Sequence, residues 1–374
     1  VGHKDDALGF LTRGLEFPVV AVNGSFKIDL RQIMTTPAGL PRLKIGLLHD
    51  SVLPPKTYGG IERIVVNLMR EYKRRGHEVV VFCRKESRLD DVETIALPEG
   101  YNGEDISSLI PSDLSFLHSH QPLRFEPKVP HLVTIHGNGS PEEKYLRNTN
   151  FLSKSHARNH NAKYFVYNGV DPTLYPYTEK KQDYLVFLAR TTWRVKNLKT
   201  AIHVAQETGC RLEIMGGTGV SRGLLNYRGL VDEPEKVEVL RNAKALIYPT
   251  NWDEPCAAAP LEALACGTPV LTSENGCMPE LVRPGTGFAC GSYASLVAAV
   301  GELPRIQPRA CRDSIEGFFS LGRMTDDYLK LFERILVHGP LDHEPRYNFS
   351  KDSVHWIYKP VWTNRLRLAV TGKV

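Results

Sequence analysis

Two glutamates, Glu254 and Glu262, stand in "NWDEPCAAAPLEALACGTPV" with seven residues between them. Pro260 lies between them, and proline is tolerated in a helix only in its first turn. A helix is therefore expected to start near Ala259 or Pro260, with Glu254 in the loop before it and Glu262 in its first turn. Eight residues rise about 12 Å if fully helical, so the carboxylates are expected ~10 Å apart. Paired acids of a retaining hydrolase stand only ~5 Å apart. The spacing suits two contacts on one long ligand, with the helix N-terminus near its anionic middle. The bland alternative is one capping acid and one solvated acid.

Two cations precede them. Arg190 follows the apolar run "YLVFLA", and Lys196 comes six residues later, before a helical stretch. In an open α/β sheet, ligands bind beyond the carboxyl ends of the strands. Fixed cations there can clamp a diphosphate and neutralise charge growing on a leaving group; two solvated loop charges are the alternative. Tyr58-Gly59-Gly60 lies between a strand and a helix start, where backbone N–H groups suit a phosphate, or it is an ordinary tight turn. It is not a P-loop, and "GGTGVSRG" at 216–223 misses the dinucleotide spacing and reads as a flexible loop. His118, His120 and His136 follow strands. His136 suits substrate contact, whereas His118 reads more simply as a structural histidine. No D-x-D pair occurs to hold a metal–diphosphate.

The elements that position these residues are legible from periodicity. "LKIGLLHD", a Pro/Gly loop, an amphipathic helix from Ile61 to Tyr72 and "VVVFCR" make a β-loop-α-β start to a parallel sheet. Strands are expected in "LSFLHSH", "HLVTIHG" and "KYFVYNGVD". The alternation restarts near residue 183, giving strands in "YLVFLAR", "RLEIMGG", "KALIYPT" and "PVLTSE" with helices between. The fold class expected is α/β: two Rossmann-like doubly wound domains facing a cleft. The segments are 1–42, an extension with a hairpin signal at Asn23-Gly24; 43–170, a short first domain; 171–321, a second domain; and 322–374, a long helix over 322–337 followed by a tail with Trp356, Tyr358 and Trp362. That last segment is expected to pack on the first domain or a partner.

Composition sets the outer limits. The 374 residues exceed one ordinary core. Forty-two per cent apolar and 24% charged content fit a globular chain. The net charge of +5 is spread along the sequence, unlike the clustered basic face of a nucleic-acid binder, though it suits an anionic small ligand or an acidic membrane surface. Seven cysteines show no zinc or C-x-x-C spacing and read as buried reduced thiols of a cytoplasmic protein. Sequons at Asn23, Asn138 and Asn348 are of a kind common by chance. No apolar run is long enough to span a membrane, and "VGHKDDALGF" lacks the pattern of a signal peptide.

Taken together, "YGGIERIVVNL", "HSH", "TIHG", "YNGVD", "LARTTWRVKN", "YRGLVDEPEK", the E-x7-E element and "GCMPELVRPGTGFAC" resemble glycosyltransferases of the GT-B fold, specifically the retaining family 4 (group 1) type. The resemblance covers roughly 43–337. It implies transfer of a sugar from a nucleotide sugar, UDP by default, to the hydroxyl of a glycan, lipid-linked or small-molecule acceptor, with retained configuration and no metal or other cofactor. Gly59 and Gly60 would approach the donor diphosphate, and Arg190 and Lys196 would bind it. Glu254 would contact the sugar hydroxyls and Glu262 the ribose. His136 would sit near the reacting centre, and the loop with Gly276 and Met278 would line the sugar and phosphate side. Cys256, Ala257 and Ala258 complete the donor pocket. Cys256-Ala257 replaces the aromatic-glycine pair common after the first Glu-Pro. Only sixteen residues separate His136 from Ser153, so the acceptor side is reduced. The terminal extensions, 1–42 and 338–374, match nothing in the family and are candidates to complete the acceptor site or to make an oligomer contact; a peripheral membrane contact of the protein is a separate expectation. A GT-B epimerase or hydrolase, and a non-catalytic binding protein on the same fold, are the alternatives.

Overall fold

A computed structural model describes residues 19–22, 25–28, 40–55, 59–350, 354 and 356–358. The chain forms two compact units. One contains residues up to 172 and returns for 316–350; the other contains 173–315 and 351 onward. The hairpin signal at Asn23-Gly24 lies outside the described residues; the strands on either side, β1 (Val19–Val22) and β2 (Ser25–Ile28), pair antiparallel.

The first unit is built on a six-stranded parallel sheet of β3 (Lys44–Leu48), β4 (Glu78–Cys83), β5 (Glu93–Ala96), β6 (Phe116–Ser119), β7 (His131–Thr134) and β8 (Thr149–Asn150). Its spatial order is β5-β4-β3-β6-β7-β8. The order reverses between β3 and β6, which makes that junction the switch point of a doubly wound sheet. Helix α1 (Gly60–Arg74) buries Ile64, Val65, Leu68, Met69 and Tyr72 on one face. That i, i+1, i+4, i+5, i+8 spacing is the apolar stripe of a helix lying on a sheet. Among the described residues, the only other α-helix before the second unit is the short α2 (Lys154–Arg158), so crossovers between β5, β6, β7 and β8 run mostly as loops.

The expected strand in "KYFVYNGVD" does not form; Phe165 makes only an isolated bridge to Phe151. Its apolar residues pack on the core as extended loop. The edge position is taken instead by Thr149–Asn150, a polar pair that no alternation marked.

The second unit repeats the plan. Strands β9 (Tyr184–Leu188), β10 (Arg211–Met215), β11 (Leu225–Gly229), β12 (Ala245–Tyr248), β13 (Val270–Ser273) and β14 (Gly287–Cys290) form a parallel sheet ordered β11-β10-β9-β12-β13-β14. Its switch point lies between β9 and β12, both buried along their length apart from a half-buried Leu188. Such continuous apolar runs belong to strands covered on both faces. The helices are α3 (Leu198–Thr208), α4 (Glu233–Asn242), α5 (Ala258–Ala265), α6 (Met278–Leu281), α7 (Tyr293–Glu302) and α8 (Pro308–Phe318). Asp232 caps α4 by accepting from the Glu235 amide at 2.9 Å. Ser292 and Ser295 close a reciprocal cap on α7. Strands β5, β11 and β14 and helix α8 carry weak sequence signals: β11 and β5 are largely polar and half-exposed.

Helix α5 starts at Ala258, one residue before the expected start. Pro260 is thus its third residue, still within the span whose N–H groups have no intrahelical partner. Glu262 consequently moves from the first turn into the second.

The long helix expected over 322–337 is α9 (Leu321–His338). It belongs to the first unit, where Phe332 stacks on Phe116 with ring centroids 4.0 Å apart and contacts Tyr72. No described helix is long and apolar enough to cross a membrane.

Candidate active site

Each switch point presents the carboxyl ends of its strands to the predicted residues. In the second unit, Arg190 comes two residues after β9 and Glu254 six after β12. Between Arg190 and α3 the chain makes consecutive turns: Trp193 N–H donates to the Arg190 carbonyl at 3.0 Å, and Lys196 N–H to the Trp193 carbonyl at 2.9 Å. The run ends at Asn197, which has left-handed backbone (φ 58°, ψ 43°). Asparagine tolerates this conformation better than most residues.

These turns aim Lys196 inward. Its ammonium donates to Glu254 Oε2 at 2.6 Å and to the Tyr248 hydroxyl at 2.8 Å, and that hydroxyl donates to the same Oε2 at 3.1 Å. Lys196 and Glu254 are only 8% and 7% exposed, so a salt-paired triad is enclosed at the switch point. Burial opposes the Lys196 charge, but Glu254 and Tyr248 outweigh it and hold the ammonium's pKa above its ordinary value. Burial, reinforced by Glu254, pushes the Tyr248 phenol up as well. The ammonium therefore stays charged and keeps one N–H beyond its two acceptors. Glu254 Oε1 makes no bond among the described residues. Arg190 is exposed, with its guanidinium 5.0 Å from the Trp193 ring centroid; the Lys196 ammonium lies 5.9 Å from the same centroid. Trp193 thus places two cations around one ring.

Glu262 forms a second triad. Its Oε1 accepts from Lys236 Nζ at 2.8 Å and from the Tyr175 hydroxyl at 3.2 Å. Both glutamates are therefore half-saturated, with one oxygen committed to a buried cation and a tyrosine and the other unengaged among the described residues.

Glycines bring the loops into contact. Gly276 has φ 59°, and a Cβ there would strike the Glu254 backbone. The neighbouring Cys277 N–H donates to the Glu254 carbonyl at 2.8 Å. Gly276 thus serves as a backing plate for the Glu254 loop, with Met278 fully buried at the start of α6. Gly216 and Gly217 likewise lie against Ala189 and Thr191, where any Cβ would clash. These glycines fix the loop that carries Arg190, so the stretch expected to be a flexible loop is packed at its start. Cys256 and Ala257 are buried beside Glu254 and Ala258 is half-buried.

In the first unit, Gly59 caps α1 and is pressed against Pro55: a Cβ would lie 2.6 Å from the proline Cβ. At Gly60 a Cβ would meet nothing within 4 Å, so the helix start is open. Glu62 stands in the same turn, held by Ser51 Oγ at 2.9 Å. Its charge works against an anion at this helix end, so the Gly59-Gly60 site is electrostatically weaker than the cationic site of the second unit.

His136 follows β7, and its Nε2 lies 2.9 Å from His120 Nδ1. His120 Nε2 is buried without a partner among the described residues. A buried orphan acceptor is more readily tolerated than an orphan N–H. The favoured arrangement has His120 donating from Nδ1 to His136 Nε2, leaving the His136 proton on Nδ1. Burial lowers the His136 pKa to about 3, with His49 adding repulsion, so the ring is neutral. His118 is wholly enclosed, bonded to Thr134 Oγ1 at 2.9 Å and Tyr72 Oη at 3.3 Å. It is the structural histidine of the group.

The sequence reading missed Tyr248, Asn197, the Gly216-Gly217 packing and Lys236. Tyr248 reads as one more apolar strand residue, and only the pairing of β12 beside β9 brings its hydroxyl to Lys196. The left-handed Asn197 had a weak signal, an asparagine directly before a helical run.

All seven cysteines are free and buried.

Comparison with known proteins agrees with this architecture. Residues 58–177 match the profile of Glycosyltransferase Family 4, and residues 177–310 that of Glycosyl transferases group 1. Glycogen synthase of Mycobacterium tuberculosis is 39% identical over 77 residues. That match spans 20% of this chain and 18% of the synthase, about a fifth of each. Among solved structures, AviGT4, a glycosyltransferase of avilamycin A biosynthesis, superposes with a TM-score of 0.67 at 22% identity, covering 79% of this chain and 98% of AviGT4. The catalytic domain of starch synthase IV from Arabidopsis thaliana, solved with ADP and acarbose, gives 0.60 at 12% identity, covering 79% and 100%. With two family profiles in succession across 58–310 and two sheets of the same doubly wound order, the chain belongs to the group 1, family 4 glycosyltransferases of the GT-B fold.

Proposed function

We propose that the protein transfers a sugar from a nucleoside-diphosphate sugar to an acceptor hydroxyl, with retention of configuration and without a metal ion. The observation that carries this reading is the buried Lys196–Tyr248–Glu254 triad beside Arg190 at the switch point of the second sheet.

As the sugar–phosphate bond breaks, negative charge grows on the leaving diphosphate. Lys196, with its unused N–H, and Arg190 stabilise that charge at fixed positions. Glu254 Oε1 accepts from a sugar hydroxyl while Oε2 keeps Lys196 in place. Glu262 uses its unengaged oxygen for the ribose diol, with Lys236 and Tyr175 holding the other. Neutral His136 donates from Nδ1 to a sugar or acceptor oxygen. Gly59 and Gly60 allow the donor phosphates to approach the backbone, Met278 backs the Gly276 loop, and Cys256, Ala257 and Ala258 shape the sugar pocket. The acceptor hydroxyl attacks the anomeric carbon on the face the diphosphate leaves as the bond from that carbon to the phosphate oxygen breaks, and its proton passes to that departing oxygen, so no enzymic nucleophile is required.

Uridine is the nucleoside we assign, following the family resemblance. The ADP in the starch synthase neighbour makes adenosine the competitor to separate. The test is calorimetry with UDP-, GDP- and ADP-sugars, with release of free nucleotide measured with and without chelator and the product anomer read by NMR. Binding of one donor, chelator-insensitive turnover and a retained anomer are expected. Failure to bind any donor sinks the proposal; an inverted anomer or strict Mg²⁺ or Mn²⁺ dependence sinks the mechanism.

A further inference from the structure

Ile357, in the segment Trp356-Ile357-Tyr358, lies 106 residues beyond Asn251 and 160 beyond Asn197 in sequence, yet it is bonded to both donor-site loops. Ile357 N–H donates to Asn251 Oδ1 at 2.9 Å. The Ile357 carbonyl accepts from Asn197 Nδ2 at 2.8 Å and from Thr200 Oγ1 at 2.9 Å. The Ile357 side chain is 1% exposed. Both backbone groups of one residue are thus satisfied by side chains of the second unit, around a buried apolar plug.

The partners are not arbitrary surface groups. Asn197 directly follows Lys196 in the left-handed turn that aims the ammonium inward. Its amide also donates to the Pro249 carbonyl at 2.9 Å, one residue beyond Tyr248. Asn251 lies three residues before Glu254, and its N–H donates to the Val195 carbonyl at 2.7 Å. Asn197 and Asn251 therefore tie the Lys196 loop to the Glu254 loop, and Ile357 bonds to both. Asn251 Nδ2 is itself buried without a partner among the described residues. The Ile357 N–H is then the one partner of this side-chain amide among the described residues, through Oδ1, and losing it leaves both ends of the amide unpaired.

We infer that Ile357 is a positioning residue of the donor site: its backbone clips the loop after β9 to the loop after β12, and so holds Lys196 and Glu254 at the separation that phosphate stabilisation requires. This rests on the glycosyltransferase mechanism proposed above. The flanking Trp356 and Tyr358 rings are 63% and 51% exposed and stack with centroids 5.9 Å apart, so they take no part in the clip.

The test compares Ile357→Pro, which removes the N–H donor, with Ile357→Val, which keeps both backbone groups and most of the plug, and with Trp356→Ser as a control. Nucleotide-sugar turnover is read as kcat and KM, and hydrogen exchange is followed at 190–200 and 248–256. Ile357→Pro is expected to lower kcat by on the order of 10- to 100-fold, as a displacement of about 1 Å does. Both loops should exchange faster while β9 and β12 keep their protection. Ile357→Val and Trp356→Ser should behave as the parent. Parent-like kcat and loop protection in Ile357→Pro overturn the inference, as does a loss of turnover in Trp356→Ser with the loops still protected. If the parent turns over no nucleotide sugar, the functional reading falls, and the exchange measurement alone decides whether the clip exists.

Discussion

At the scale of single residues, the site is a set of partly used polar groups. Lys196→Ala is expected to lower turnover about a hundredfold or more, in line with losing one electrostatic stabiliser. Sequence reasoning expects that variant to keep its fold intact, but the enclosed pair changes this. Removing one partner of a buried ion pair typically costs roughly 3–5 kcal/mol because the other charge is stranded. Here the Tyr248 hydroxyl still donates to Glu254, so the lower end is expected. Thermal melts should show Lys196→Ala well below the parent and Lys196→Ala/Glu254→Gln partly recovered, with turnover reduced at least as far in the double variant as in the single. At Gly276 the prediction is steric. Gly276→Ala should displace the Glu254 backbone and lower turnover at least tenfold while nucleotide still binds, because a Cβ there has no space and φ 59° disfavours it. Parent-like kinetics for Gly276→Ala would show that the loop can give way.

At the scale of elements, both halves use one arrangement: a buried parallel strand, a glycine-bearing or turn-rich loop, and a helix. This was legible because buried parallel strands are short continuous apolar runs and their helices keep a 3.6-residue stripe. Edge strands were not, since β5, β8 and β11 are half-exposed, short or polar, and alternation needs a buried face to exist. Helix α9 was legible as a helix to within one residue at each end, and the first domain was one of two attachment sites expected for it, but the residues that fasten it were not legible. The stacking of Phe332 on Phe116 and its contact with Tyr72 fasten it to the first sheet. Phe332→Ala should cost roughly 3–5 kcal/mol, since Phe332 is fully buried. Urea unfolding is the check, and a loss below about 1 kcal/mol would mean that α9 contributes little to that core.

At the scale of the whole molecule, charge and burial predict an acid limit centred on the first unit. Burial lowers His77 to about 4 and His118 and His136 to about 3, and depresses His120 and His156 well below the usual range. In the unfolded chain all five titrate near 6.5. Below that pH the unfolded state binds more protons than the folded state. Stability is therefore full above about pH 6.5 and falls as the pH drops toward 4. Each group contributes up to roughly 1.4 kcal/mol per pH unit, so His77, His118 and His136 alone approach about 4 kcal/mol per pH unit. The urea midpoint should drop steeply between pH 7 and pH 5. A flat profile would mean that these rings take up protons in place.

Read alone, the sequence makes the chain two α/β repeats and puts Arg190, Lys196 and Glu254 in the loops that follow strands and Glu262 near the start of the next helix. Those properties are local: they depend on apolar runs, helical stripes, a proline's position and the order of motifs. Which groups meet depends on how the strands and helices pack in space. Lys196 and Glu254 are 58 residues apart, and they pair because β12 lies beside β9 at the point where strand order reverses. Tyr248 joins them for the same reason. Lys236 reaches Glu262 because α4 and α5 pack against one another. Ile357 reaches Asn197 and Asn251 from the far end of the chain, through backbone bonds for which no side-chain pattern exists. Pairings of this kind arise from strand order and burial, which act across space and leave no spacing along the chain.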